Sequence, residues 1–372
     1  MVSYGFGPNG NLVYGIRETL LGSDKLTWEK SYKTNIGLEM MLWGKLNLTL
    51  DYYWERRKDI LIQRSSLPSM AGFDASIYAN MGEMDNKGVD ANLEYQTRIG
   101  NKVGLRLFGN LTYSKNKIVF RDEPAMQYAY QKSEGTRYGE FYGYIAEGYF
   151  QSEEEIKKSP RQMRELAPGD IKYKDLNDDG VIDANDQCYL GKSWFPSWSY
   201  GMGFNINYHN FDLALFFQGV SDVSIMANGG SIDTGNGDWG ASGVGIVPFT
   251  GMGLNPSNVI TKALDRWTAD NPRADAWYPR MTANATTNDN NYVNSTHWLK
   301  DGSYLRLKQA SLGYTLENKK LMDKGIEYLY FYLSGQNLLT FSKFKLWDPE
   351  LGSNGAKYPL SRMVTLGMRV SF

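Results

Sequence analysis

The stretch DLNDDGVIDAND, from Asp175 to Asp186, has the composition and spacing of a calcium-binding loop. The oxygen-bearing side chains at loop positions 1, 3, 5, 9 and 12 are those of Asp175, Asn177, Asp179, Asp183 and Asp186. In an EF-hand-type loop, a glycine at position 6 allows the sharp turn and position 7 offers a backbone carbonyl; here these residues are Gly180 and Val181. The apolar Ile182 at position 8 is expected to point inward. We therefore predict a calcium site in this loop.

The last predicted ligand, Asp186, is shorter than the glutamate that usually closes such a loop. An aspartate reaches less far to chelate with both oxygens, so we expect modest calcium affinity. The alternative is a surface cluster of Asx turns without a metal, since Asn-Asp-Asp-Gly is ordinary turn chemistry. The complete spacing favours calcium, which would brace a long loop that has little hydrophobic core of its own.

Other reactive chemistry is sparse in this sequence. One cysteine, Cys188, and two histidines, His209 and His297, provide no zinc or redox cluster and no recognisable catalytic motif. No phosphate-binding or dinucleotide-binding glycine loop follows a predicted strand. With 40 Lys and Arg against 41 Asp and Glu, the chain has no basic footprint for nucleic acid. We predict neither an enzyme nor a nucleic-acid-binding protein.

Tryptophans in the predicted loops are candidates for contact with a substrate. They are Trp194, Trp239, Trp277 and Trp298. A large flat indole can stack on a sugar ring, but packing inside a loop is the commoner use of tryptophan. Both interpretations stay open on sequence alone.

Apolar and polar residues alternate strictly in segments of about ten residues, as in membrane-spanning β-strands. GVDANLEYQTRI, for example, places Val, Ala, Leu, Tyr, Thr and Ile on one face and Asp, Asn, Glu, Gln and Arg on the other. KLNLTLDYYW, VGLRLFGNLTY and WSYGMGFNINY repeat the pattern. No run of about 18 apolar residues predicts a transmembrane helix. A soluble β-sandwich with cross-strand aromatic pairs is the alternative interpretation.

Connection lengths give an independent indication of the fold. Nine predicted strands are separated by short connections at 44–45, 100–101, 209–210 and 317–327, and by long ones at 63–87, 119–195, 220–303 and 338–361. Short and long connections alternate strictly, and outer-membrane barrels have short periplasmic turns and long external loops. The pattern predicts an all-β, antiparallel transmembrane β-barrel with long extracellular loops. It also places the predicted calcium loop outside the cell.

The polar faces of these strands would line a water-filled lumen. The charged residues predicted on the lumen wall are Asp90, Glu94, Arg98, Arg106, Asp212, Arg306 and Lys308. Simple solvation of these side chains is the alternative to a role in substrate passage.

Segments along almost the whole chain, in order, resemble the C-terminal part of SusC/RagA-type outer-membrane nutrient transporters. They are LTWEKSYKTNIGLEM, NMGEMDNKGVDANLEY, PGDIKYKDLNDDGVIDANDQ, NFDLALFFQG, DGSYLRLKQASLGYTL, LYFYLSGQNLLTFSKFKLWDPE and YPLSRMVTLGMRVSF. The resemblance implies a barrel of about 22 strands around an N-terminal plug. It also implies energy from the inner-membrane TonB complex and a SusD-like surface lipoprotein that captures glycans or peptides.

The final strand resembles the terminal strand that the outer-membrane insertion machinery reads in such proteins. The resemblance implies that Val364, Leu366, Met368 and Val370 face outer-membrane lipid and that Phe372 is the terminal aromatic residue. These five residues form the predicted insertion signal.

The sequence shows no signal peptide, plug or TonB-contact segment, so residues 1–372 are expected to be part of a larger barrel. They would be a fragment of a longer protein or a truncated gene product, and TonB would act through the missing N-terminal part. The predicted function is import of oligosaccharides or other large nutrients across the outer membrane. The alternatives are a stand-alone small porin or adhesin barrel and a soluble, calcium-stabilised carbohydrate-binding β-protein.

Overall fold

The computed structural model describes residues 2–6, 11–15, 20–22, 25–66, 76–100, 102–163, 165–228, 260–281, 290–355 and 358–372. The first seven strands are β1 (Val2–Phe6), β2 (Asn11–Gly15), β3 (Leu20–Leu21), β4 (Lys30–Leu42), β5 (Leu46–Gln63), β6 (Ser76–Ile99) and β7 (Val103–Phe120). The next seven are β8 (Glu140–Gly143), β9 (Ala146–Tyr149), β10 (Ile171–Tyr173), β11 (Cys188–Ser193), β12 (Trp198–Tyr208), β13 (Phe211–Ser221) and β14 (Ser224–Met226). The last four are β15 (Leu299–Asp301), β16 (Tyr304–Leu316), β17 (Tyr328–Ser342) and β18 (Met363–Ser371).

Helical structure is confined to short segments of the described chain. They are α1 (Glu153–Lys158), α2 (Lys319–Met322) and the 3₁₀ turns Ala129–Gln131, Ala184–Asp186, Thr261–Leu264 and Pro349–Leu351. Across these described ranges, no helix is long and apolar enough to cross a membrane.

Nine long strands form one antiparallel wall, in which each pairs with the next long strand along the chain. The order across the wall is β4, β5, β6, β7, β12, β13, β16, β17 and β18. The short β3 adds parallel pairing to the start of β6. Within the described residues, β4 and β18 are the outermost strands of the wall and do not pair with each other. All nine predicted strands are present in the predicted order, which confirms the all-β, antiparallel fold class.

Tight turns join the strands at one end of the wall, here called the turn end. Between β4 and β5, the N–H of Lys45 donates to the carbonyl of Leu42 at 3.1 Å, and the central residues of this turn, Trp43 and Gly44, have positive φ values of 53° and 62°. Gly100 and His209 supply positive φ in two further turns. The long connections leave from the opposite end, here called the loop end, so the predicted alternation of short and long connections is largely confirmed.

The predicted long connection at 63–87 is wrong. β6 begins at Ser76 rather than Gly88, and its first half pairs with the last residues of β5. Alternation does not mark this half, because SIYANMGEMDNK carries polar residues on both faces. Strands β5 and β6 therefore continue past the strictly alternating segment toward the loop end.

Strand register aligns apolar residues into rows across one face of the wall. One row crosses six adjacent strands at Leu105, Ile206, Leu213, Leu312, Leu333 and Leu366. Of these, Leu312, Leu333 and Leu366 are 49%, 48% and 81% exposed. A broad apolar face that the described chain leaves uncovered is suited to hydrocarbon rather than water.

The adjacent row on the opposite face is polar or small over the same six strands. It consists of Arg106, Asn205, Ala214, Ser311, Ser334 and Thr365. Because successive side chains point to opposite faces, a single register fixes both rows. The wall thus has one apolar face and one polar face, as the alternation predicts.

The hydrophobic core lies in the long loops and not in the wall. We call residues 121–197 loop A, residues 222–303 loop B and residues 343–362 loop C, and the three together the cap. Loop A contributes Phe141, Tyr144, Tyr149, Ile171, Tyr173 and Ile182 to one buried cluster; loop B contributes Met226, Ala263, Trp267, Ala276, Tyr278 and Trp298. The expectation that the long loop has little core of its own is therefore wrong, because side chains of loops A and B bury one another.

On the polar face of the wall, an aromatic ring of one strand lies over a glycine of the next. A Cβ atom built on Gly203 would lie 2.5 Å from the ring of Phe108 and 2.7 Å from the carbonyl oxygen of Leu215. Both distances are too short for a real Cβ contact. Gly203 therefore allows the Phe108 ring to lie flat against the wall.

We expect Gly203→Ala to lower the free energy of unfolding by about 1–3 kcal/mol, because the added methyl group overpacks the site. The measurement is urea-dependent unfolding in lipid vesicles, followed by the gel mobility shift of the folded protein. Gly104→Ala is the matched control, since the nearest atom to its Cβ, the Cβ of Asn207, lies at an ordinary 3.6 Å. Equal destabilisation by the two substitutions would contradict this account.

Candidate functional site

Loops A and B are joined by a buried ion pair. Asp170 of loop A is fully buried. The Nε atom of Arg280 lies 2.6 Å from its Oδ1 atom, and Arg280 Nη2 donates to Oδ2 at 2.9 Å. Asn291 Nδ2 also donates to Oδ1 at 2.8 Å. The carboxylate of Asp170 is therefore compensated by groups that loop B provides.

Amide side chains extend this network to the backbone of β10. Asn291 Oδ1 accepts from the N–H of Ile171 at 2.9 Å, and Gln162 Nε2 donates to Asn290 Oδ1 at 2.8 Å. The hydroxyl of Tyr173 donates to the carbonyl of Asn290 at 2.6 Å. The sequence carries no signal for these residues, because isolated amides in a loop form no motif until the two loops meet.

Trp298 is a structural residue of the cap. It is fully buried, and its Nε1 donates to the carbonyl of Asn291 at 2.6 Å. The rings of Trp277, Tyr278 and His297 lie 4.8–5.7 Å from its ring. This burial leaves no face for a sugar, so the prediction that Trp298 contacts substrate is wrong.

The other candidate tryptophans have different surroundings. Trp194 is partly buried and packs edge-on against Phe141, with ring centroids 5.7 Å apart. Trp277 is partly buried and lines a cavity of about 760 Å³. Trp239 lies outside the described residues. Of the three that the structure describes, Trp277 is the one that lines this cavity.

His297 is packed inside the cap beside this cavity. Burial, and then the charge of Lys300, lower the pKa of His297 to about 4. Its Nε2 atom lies 3.1 Å from the carbonyl oxygen of Trp277 and 3.3 Å from the hydroxyl of Tyr149. His297 is therefore neutral at physiological pH and links elements of the cap.

The predicted calcium loop has the expected turn. Gly180 has a φ of 81°, and its N–H donates to Asp175 Oδ2 at 2.8 Å. Val181 N–H donates to Asp179 Oδ1 at 2.8 Å. Ile182 is 1% exposed and its N–H donates to the carbonyl of Arg161 at 2.7 Å. The inward position predicted for Ile182 is thus confirmed.

The carboxylates of this loop mostly accept backbone hydrogen bonds. Asp186 is fully buried; its Oδ1 accepts from Leu176 at 2.7 Å and its Oδ2 from Asp183 at 2.9 Å. In the part of the chain that the structure describes, no group of three or more His, Cys, Asp or Glu side chains converges as a metal cluster. Asp175 Oδ1, however, is buried without a hydrogen-bond partner. The loop is therefore shaped by its own hydrogen bonds, with one carboxylate oxygen left unsatisfied.

Several charged residues predicted on the lumen wall pair with neighbours on the polar face. Arg106 donates to Glu94 at 2.8 Å, and the hydroxyl of Tyr330 donates to Asp212 at 3.0 Å. Asp90 and Arg98 lie four residues before and four residues after Glu94 on β6, so the three side chains share one face. Lys308 lies at a register shift of β16. These contacts stabilise neighbouring strands and leave a mixed polar surface.

Arg306 holds loop C rather than lining an open lumen. It is 1% exposed, and its Nη2 donates to Asp348 Oδ1 at 2.6 Å. The hydroxyl of the adjacent Tyr304 donates to Glu350 at 2.7 Å. Pairing with Gln218 places Arg306 on the polar face of the wall, as predicted, but loop C folds back over the end of β16 and buries it.

A two-faced wall with a folded cap is consistent with the sequence family that the chain matches. The profile described as "TonB dependent receptor-like, beta-barrel" matches residues 2–338. The chain belongs to this family. TonB-dependent receptor P3 of Formosa agariphila is 28% identical over 97% of this chain and 36% of its own length. TonB-dependent receptor SusC of Bacteroides thetaiotaomicron is 23% identical over 98% of this chain and 34% of its own length. The chain therefore spans about a third of the length of these relatives.

Solved structures share the fold of this chain. The RagAB peptide importer in the closed-closed state gives a TM-score of 0.70 at 22% identity, covering 100% of this chain and 38% of that chain. The open-open state also gives a TM-score of 0.70, at 23% identity. At this level of identity the likeness establishes the fold, and it agrees with a C-terminal part of a barrel.

The predicted insertion signal lies on β18 and just after it, at one side of the described wall. Val364, Leu366 and Met368 are exposed, Val370 is partly buried, and Phe372 follows the strand and is exposed. Reading of this strand by the insertion machinery stays a prediction.

Removing one partner of the Asp170–Arg280 pair should loosen the cap of this barrel. We expect Arg280→Ala to destabilise the docking of loops A and B by about 3–5 kcal/mol, because it leaves a buried carboxylate without its counter-charge. The measurement is the rate of limited proteolysis within the cap of the folded protein.

Arg273→Ala provides the control for this substitution. Arg273 pairs with Asp265 at a partly exposed site, where removal of an ion pair costs about 0–1 kcal/mol. Unchanged proteolysis of the Arg280 variant would show that the buried pair does not hold the loops together.

Proposed function

We propose that this chain is part of a TonB-dependent outer-membrane importer of oligosaccharides or other large nutrients. In this proposal the apolar face of the wall contacts outer-membrane lipid, the polar face borders the passage, and the cap lies outside the cell. The chain acts in transport and contributes no catalytic residue.

The observation that carries this proposal is the combination of the two-faced wall with an ordered cap at its loop end. A cap with its own hydrophobic core can hold binding groups at fixed positions over the passage. A simple sieve would not need such a core. Family membership also supports a role in TonB-dependent import, since the curated relatives are TonB-dependent receptors.

The proposed partners follow from the family rather than from contacts in this chain. A SusD-like surface lipoprotein would deliver substrate at the cap, and the TonB complex would act on a plug that precedes these residues. SusC and the RagAB importer are the named relatives that support this arrangement.

A strain that lacks the gene should fail to take up the cognate nutrient, and the complete gene should restore uptake. Disruption of TonB should abolish that uptake while growth on a small sugar continues, because small solutes cross general porins. Uptake is measured with a panel of labelled oligosaccharides and peptides. Uptake that persists without TonB would contradict the proposal and favour a stand-alone porin.

We also propose that the loop from Asp175 to Asp186 binds a calcium ion. Asp175, Asn177 and Asp179 would provide side-chain oxygens and Val181 its carbonyl, with Asp183 and Asp186 completing the loop. The buried, unpartnered Asp175 Oδ1 supports this assignment, since a cation would satisfy it. Asp186 already accepts two backbone N–H groups, which lowers the affinity we expect.

Calorimetry should detect calcium binding with a Kd on the order of 10⁻⁴ to 10⁻³ M, the range of extracellular modules. The double substitution Asp175→Asn with Asp179→Asn should remove binding while the amide groups preserve the turn hydrogen bonds. Asp178→Asn is the matched control, because it removes a carboxylate from a non-ligand position of the same loop. Absence of binding by the unmodified protein at millimolar calcium would eliminate the metal site.

A further inference from the structure

A cavity of about 760 Å³ opens between loops B and C near the loop end of β17. Its apolar lining comes from Ile260, Leu264, Trp277, Phe344 and Leu346. Leu264 is 77% exposed, so the described chain leaves part of this apolar surface uncovered. A cavity of this size suits an organic group rather than a single ion.

Charged residues also line the cavity, with an excess of positive charge. They are Lys262, Lys300, Lys343, Lys345, Asp265 and Asp301. Asp265 is already paired with Lys262 at 2.7 Å and with Arg273. Asp301 lies 4.0 Å from Lys343, at the limit of an ion pair. The surplus positive charge at the cavity attracts an anion.

Of these four lysines, Lys300 has the surroundings best suited to an anion. Its Nζ donates to the carbonyl of His297 at 2.6 Å and lies 5.3 Å from the centre of the Trp277 ring. Among the described residues, no carboxylate forms an ion pair with it. Burial, and then repulsion from Lys262, lower the pKa of Lys300. A bound anion would supply the missing counter-charge directly beside the apolar lining.

We propose that this cavity binds an apolar organic group that carries a carboxylate, with the carboxylate at Lys300 and the apolar part against Trp277 and its aliphatic neighbours. The C-terminal residue of a peptide with a hydrophobic side chain has this chemistry. A sugar ring can stack on Trp277, but Ile260, Leu264 and Leu346 offer its hydroxyl groups no hydrogen bonds, so an acidic sugar matches the site less well. The inference rests on the proposed import function, in which the cavity would hold one part of a larger nutrient.

Binding of two small probes to the detergent-purified protein tests the proposal. N-acetyl-L-phenylalanine and N-acetyl-L-phenylalaninamide differ only in the carboxylate, and we expect the acid to bind about tenfold tighter or more, as for a hydrogen bond between charged groups. Lys300→Met keeps the length of the side chain and removes its charge, so it should abolish this preference. Lys320→Met, in the α2 turn at the opposite end of the wall, should leave the preference unchanged.

Lys345→Met provides a second variant at the cavity should the Lys300 variant fail to fold, and it should reduce the preference for the acid. Equal affinity of the unmodified protein for acid and amide would overturn the proposal. Tighter binding of oligogalacturonate than of the acid, lost in Lys300→Met, would also overturn it and assign the cavity to acidic sugars. These experiments measure binding to the purified protein and do not depend on TonB. A negative binding result therefore contradicts the cavity proposal alone, whereas uptake that persists without TonB contradicts the import proposal.

Discussion

Backbone hydrogen bonding between neighbouring strands fixes the register on which the rest of this structure depends. Inside a membrane, strand N–H and C=O groups have no water to bond, so each must pair with the adjacent strand. That pairing places Leu213 beside Leu312 and Leu312 beside Leu333, and on the other face Ala214 beside Ser311 and Ser311 beside Ser334. A shift by one residue would turn leucines toward the polar face and serines toward lipid. The apolar face and the polar face of the wall are therefore consequences of one register.

The cap is stabilised by different physics from the wall. Its core buries aromatic and aliphatic side chains of loops A and B, and the Asp170–Arg280 pair sits within that contact. Apolar burial is driven by water, which surrounds the cap but not the apolar face of the wall. The apolar face of the wall is thus suited to lipid, and the cap is suited to water. Two contacts attach loop C of the cap to the end of β16. Arg306 pairs with Asp348, and Tyr304 donates a hydrogen bond to Glu350.

Local sequence patterns predict best those parts of the structure that depend on residues close together in the chain. Alternation predicted β12 at Trp198–Tyr208 with the observed bounds. In the calcium-type loop, Gly180 at position 6 predicted the turn, and the apolar residue at position 8 predicted the burial of Ile182. Such patterns fail at the first half of β6, which has no alternation, and they do not predict the burial of Trp298 or of Arg306, which depends on how loops B and C fold. The Asp170–Arg280–Asn291 network has no sequence signal, because its members meet only after loops A and B fold together. The cavity at Lys300 is unpredictable for the same reason.

The position of that cavity follows from where the strands end. β13 ends at Ser221, β16 begins at Tyr304 and β17 ends at Ser342, and register places these three ends side by side. Loops B and C must therefore leave the wall at the same point, and the space between them is bounded by the wall on one side and the cap core on the other. The short pairing of β14 with β15 holds Lys300 at this junction. There its Nζ atom donates one hydrogen bond, to the carbonyl of His297, and lies over the Trp277 ring. Without a carboxylate partner among the described residues, the positive charge fixed at this junction is the group that the proposed carboxylate would neutralise.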